Sequence, residues 1–166
     1  NNAFITESTP GVYRYHHMLR QLLRRKFALL PQSAQTDACR RLGSWYERTG
    51  EYLTAAEFFR QAGDWDGLLR TAAADCGKSI GGEHRQMLLS WCRGCPEDAL
   101  RRHPDAVCVL MRKLFSFREI ERMLQLKALF EAALDRCQDY TAQQRRNAQG
   151  ELELVLSFLR YNDISA

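Results

Sequence analysis

Four prolines interrupt the 166 residues of this chain, and long apolar runs are missing from it altogether. The longest, such as Val107 to Met111, fall far short of the roughly 20 residues that a membrane-spanning helix needs, so no membrane partner is expected. Charge of one sign is also missing: 24 Lys and Arg against 20 Asp and Glu leave +4, spread along the chain rather than gathered in a basic tail. Net charge therefore gives no argument for nucleic acid. Nor does the sequence contain a Gly-rich phosphate loop or an acid and base paired on one helical face, which leaves no catalytic residue to assign and predicts that the segment is not an enzyme. Six cysteines at irregular positions, with no signal peptide ahead of them, read as reduced thiols of a cytoplasmic protein. With 45% hydrophobic and 27% charged residues, what remains is an ordinary globular composition, and collagen-like, disordered and disulfide-framework classes are excluded.

The apolar pattern predicts an all-α chain behind a short β-hairpin. Residues Ala3 to Thr6 and Val12 to Tyr15 are β-branched or aromatic runs around Ser8-Thr9-Pro10-Gly11, whose Pro and Gly suit a type II turn. From Tyr15 the period becomes helical, with Leu19, Leu22, Leu23 and Leu30 on one side and Arg20, Arg24 and Arg25 on the other, up to Pro31. Cys39, Leu42, Trp45 and Tyr46 form the next stripe, closed by Gly50. Ala55, Ala56, Phe59 and Ala62 form another, ending near Gly63, and Asp64 is placed to cap a third helix carrying Trp65, Leu68, Leu69, Ala72 and Ala73. The run from Gly77 to Gly82 reads as a hinge or surface loop. Helices resume with Met87, Leu88, Trp91, Cys92 and Cys95, restart at Pro96, break at His103-Pro104, and continue through Val107 to Leu114, Met123 to Cys137 and Ala148 to Leu159. About eight helices in short-looped pairs predict an array of antiparallel helical hairpins.

Leu42, Gly43, Tyr46, Gly50, Ala55, Phe59 and Ala62 fall at the spacing of a tetratricopeptide repeat, although Cys39 stands where that pattern has Trp and Gly67 where it closes on Pro. Cys92-Arg93-Gly94-Cys95 has metal-ligand spacing, but a zinc site needs four ligands and no second pair exists, so no metal site is assigned. Those two, with Cys39, Cys76, Cys108 and Cys137, are read as core residues. Arg20, Arg24, Arg25 and Lys26 are read as a solvated face, with contact to phosphates or an acidic partner domain as the other reading. His16 and His17 open the first helix; on spacing alone the pair reads as structural, beside a possible contact from imidazole to phosphate.

Tyr13-Arg14-Tyr15-His16-His17-Met18-Leu19, followed by Leu22-Leu23-Arg24-Arg25, resembles the end of the winged-helix domain in the MalT-like, large ATP-binding regulators of the LuxR family. Leu42 to Glu47, Ala55-Ala56-Glu57, Ala62 to Trp65, Trp91, Pro96-Glu97 and Arg101 to Pro104 resemble the start of their helical-repeat region. The resemblance implies a winged-helix part over residues 1–31 and a tetratricopeptide-like superhelix over 32–166. It implies a non-catalytic signalling segment of a transcription regulator, whose partners are the ATPase domain of the same chain and a small-molecule or protein effector, with DNA bound only through a further C-terminal domain. Asn1 in place of Met, and an end at Ile164-Ser165-Ala166 directly after a periodic helix, fit an excised segment. No cofactor is expected in the segment itself; ATP or ADP belongs, by the resemblance, to the full-length protein. Tyr15-His16-His17-Met18-Leu19 is similar to the Met-His-Asp motif of signal-transducing ATPases, which implies that His16 contacts the phosphate of bound ADP, with Tyr15 in the place of Met and His17 in the place of Asp. The alternative is a freestanding helical adaptor that holds protein segments in a concave groove.

Overall fold

The computed structural model describes residues 5–9, 12–136 and 141–163, and these are mostly helical. Strands β1 (Ile5–Thr9) and β2 (Val12–Tyr15) pair antiparallel, Ile5 opposite Tyr15 and Thr6 opposite Arg14, with an irregularity between Glu7 and Thr9. The expected turn residues Pro10 and Gly11 lie outside the described residues. Nine α-helices follow among the described residues: α1 (His17–Ala28), α2 (Gln32–Arg48), α3 (Tyr52–Gln61), α4 (Trp65–Asp75), α5 (Arg85–Gly94), α6 (Glu97–Arg102), α7 (Pro104–Ser116), α8 (Ile120–Arg136) and α9 (Ala142–Asp163). A 3-10 turn, Gly82–His84, precedes α5. Cys137, expected in the penultimate helix, is outside the described residues.

Local chemistry sets these boundaries. Gly50 (φ 82°) and Gly63 (φ 66°) take the left-handed conformation that ends α2 and α3. The Asp64 carboxylate accepts the Gly67 N–H at 2.9 Å and so satisfies one of the free donors at the start of α4. Pro104 occupies the first turn of α7, where its missing N–H costs nothing. Pro96 stands one position earlier than expected: it is extended (ψ 142°), and α6 begins at Glu97. Between α1 and α2, the Gln35 side-chain amide reaches back across Pro31 to donate to the carbonyls of Leu30 (2.8 Å) and Ala28 (3.3 Å).

Helix α3 packs on α2 and on α4, and connections this short turn the chain back on itself. At the centre the Phe59 ring is wedged between two glycines. A Cβ on Gly43 of α2 would lie 2.9 Å from the ring, and one on Gly67 of α4 only 2.7 Å. Ala55 and Ala56, both buried, bring the backbones together beside it. Gly67, a departure from the repeat pattern in sequence, is therefore what admits the aromatic ring. Helix α7 is enclosed by α4, α6, α8 and α9, and six successive residues, Ala106 to Met111, are buried on it. Such all-round burial marks the centre of the second half. Ion pairs stitch the layers at the surface: Arg70 to Glu47, Arg102 to Asp66, Arg85 to Glu119 and Arg112 to Glu151.

Three expectations are corrected. Helix α1 buries none of its residues: Met18 is 63% exposed and Leu22 51%, and among the described residues no helix packs closely over its apolar side. Leu42 and Trp45 of α2 lie exposed as well, while Cys39 of the same stripe is buried. Cys76 is exposed rather than core, since α4 stops at Asp75 and Cys76 forms its left-handed cap (φ 51°). Of the two readings given for the segment after it, hinge or surface loop, the structure has the loop, and it is anchored. The Asp75 carboxylate accepts from the Ser79 N–H and hydroxyl, Ile80 is buried, and Lys113 donates to the Ile80 carbonyl at 2.9 Å.

Candidate functional site

His16 immediately precedes α1, and its Nδ1 accepts the Met18 N–H at a long 3.4 Å. Accepting requires an unprotonated Nδ1, so the neutral ring carries its proton on Nε2. The side chain is exposed, with the His17 ring 4.3 Å away centre to centre. No acidic residue lies in the first turn of α1, which leaves the positive end of the helix dipole uncompensated. Arg20, Arg24, Arg25 and Lys26 are all exposed on the same helix. The geometry thus gives His16 a capping role and leaves a ring N–H, suited to a phosphate oxygen, facing away from the capped backbone.

The Cys92–Cys95 pair lies at the end of α5. Cys95 is buried and Cys92 half-buried, and burial pushes their thiols up, to about 12 and about 11 respectively. Thiols raised in this way are poor nucleophiles, because the thiolate is the reactive form. Cys108, raised by burial to about 12, and Cys39, raised by the same cause, share that character. Among the described residues no group of three or more His, Cys, Asp or Glu could hold a metal ion.

Sequence reasoning missed two further features. His103 Nε2 lies 2.9 Å from the Asp66 Oδ1, and Arg102 grips the same carboxylate through both oxygens, tying the α6–α7 junction to α4. Burial pushes the Asp66 carboxyl up, but the hydrogen bonds and charges of His103 and Arg102 outweigh it and hold the carboxyl below its usual range. The second feature is a groove of about 830 Å³ between the α5–α6 corner and α8. Cys92, Cys95, Leu100, Leu126 and Leu129 supply its apolar lining, and Arg93 and Arg122 stand at its edge. A smaller hollow of about 280 Å³, reaching Leu89 and Glu121, continues it past the same two arginines. The arginines belong to different helices, and no sequence motif joins them.

No helix among the described residues is long and apolar enough to cross a membrane. Comparison of the chain with known protein families, curated proteins and solved structures finds no match in any of the three.

Proposed function

We propose that the chain is a non-catalytic signalling and interaction segment of a LuxR-family, ATP-dependent transcription regulator of the MalT-like kind, linking an ATPase domain to effector sensing. In this reading residues 1–31 close a winged helix, the β1–β2 pair being its hairpin, and residues 32–166 begin a tetratricopeptide-like superhelix in the cytoplasm. The observation that carries it is the state of α1: a basic helix with a largely uncovered apolar side and an exposed His16 at its start. An apolar side of that kind calls for a covering partner, and the remainder of a winged helix next to an ATPase supplies one. The α2–α4 unit supports the second half, since Gly43, Ala55, Ala56 and Phe59 sit at the close approaches where a helical-hairpin repeat needs small residues and a filling ring.

In the full-length protein, ADP would be bound with its phosphate against His16, stabilising the resting state. A hydrogen bond to a charged phosphate contributes roughly 1.5 to 3 kcal/mol, so His16→Ala is expected to weaken ADP binding by about ten- to a hundredfold and to raise transcription without effector. Unchanged ADP affinity and unchanged basal transcription in a folded His16→Ala protein would leave only the capping role. The gene's flanking sequence separates this reading from the adaptor: an upstream phosphate loop and a downstream helix-turn-helix belong to the regulator alone.

A further inference from the structure

We infer that the groove between α5 and α8 is a binding site for an amphipathic organic anion, a carboxylate or phosphate carried on an apolar chain. Its size is that of a small-molecule site: about 830 Å³ lies within the roughly 300 to 1,000 Å³ of ligand pockets. Its lining divides into two parts. Cys92, Cys95, Leu100, Leu126 and Leu129 offer thiol and hydrocarbon surface, which suits an apolar chain, and Arg93, Arg122, Glu97 and Gln125 supply the polar part.

The edge is cationic. Arg93 has no acidic partner among the described residues, and Arg122 donates only to the neutral Gln125 amide at 2.9 Å. The carboxylates nearest to them are largely committed. Glu119 is paired with Arg85 and Glu97 with Arg101, which leaves Glu121 alone, at the outer hollow. Two guanidinium groups lining one groove from separate helices offer planar donor sets suited to the oxygens of a carboxylate or phosphate head. The surplus of positive charge also disfavours a cationic ligand of the same shape.

The site deepens the effector-sensing reading and rests on it only for the ligand's role as an effector; binding itself is independent of that reading. Calorimetric titration of the chain with decanoate, monodecyl phosphate, 1-decanol and inorganic phosphate tests it. One equivalent of decanoate or monodecyl phosphate is expected to bind, at least about tenfold tighter than 1-decanol, with no binding of inorganic phosphate. Arg93→Gln combined with Arg122→Gln should remove that preference while circular dichroism stays unchanged. The location has its own readout that needs no variant: bound decanoate should shift the methyl NMR signals of Leu126 and Leu129 and leave those of Leu68 and Leu69, which lie outside the groove, unaffected. Absence of decanoate and decyl phosphate binding, equal affinity for 1-decanol, or binding that leaves the Leu126 and Leu129 signals unmoved would each overturn the inference. The His16 experiment is untouched by those outcomes, and decanoate binding beside an unaltered ADP affinity in His16→Ala would keep the groove and remove the nucleotide role.

Discussion

At the scale of single residues, the two glycines around Phe59 decide how the first three-helix unit closes. Substituting Gly67 by Ala adds helix propensity worth about 1 kcal/mol, yet places a methyl 2.7 Å from a ring whose other side is held by Gly43. The ring has nowhere to retreat, so overpacking wins, and Gly67→Ala is expected to destabilise the chain by roughly 1 to 3 kcal/mol. Urea unfolding checks this, and in a Phe59→Leu background the loss should shrink. Arg118 gives the opposite case. It ends α7 at φ 59°, a conformation that costs a residue with a side chain roughly 1 kcal/mol, so Arg118→Gly should raise the unfolding free energy by about 0.5 to 1 kcal/mol. Which of these residues were legible in advance follows from the range of the interaction. The Asp64 cap and the Gly50 and Gly63 ends involve neighbours a few positions away and stand in the sequence. The need for Gly at position 67 comes from a ring on another helix, and there the repeat pattern pointed to a departure instead of a fit.

Among the helices, the same distinction separates face from partner. Periodicity identified the apolar side of α1 correctly as apolar, but a stripe carries no information on what covers it, and α1 stands uncovered where a buried stripe was expected. Leu22→Gln with Leu23→Gln should accordingly change the stability of this chain little, within about 0.5 kcal/mol, whereas polar substitution of a buried pair such as Leu68 and Leu69 should unfold it. Differential scanning calorimetry separates the two cases. Between α4 and α6, the Asp66 carboxyl is held below its usual range, so its contribution to stability is present above the unfolded carboxylate pKa near 3.9 and is lost as pH falls through the lower folded value. The carboxylate is about half exposed, which limits the pair to roughly 0.2 to 1 kcal/mol. Asp66→Asn should therefore lower the midpoint slightly at neutral pH, and the variant should lose less stability than the parent chain between about pH 5 and pH 3.

For the molecule as a whole, the predominance of helix and the order of the helices were readable from period and punctuation, whereas the groove was not, because Arg93 and Arg122 meet only once α5 and α8 are in place. The joint between α1 and α2 bears on how the parts work together. A loose linker would let α1 swing independently, but Pro31 fixes one backbone torsion and Gln35 clamps the carbonyls on its N-terminal side. That makes the joint a braced elbow, and the direction in which α1 leaves it is tied to the same helix whose Gly43 seats the Phe59 ring.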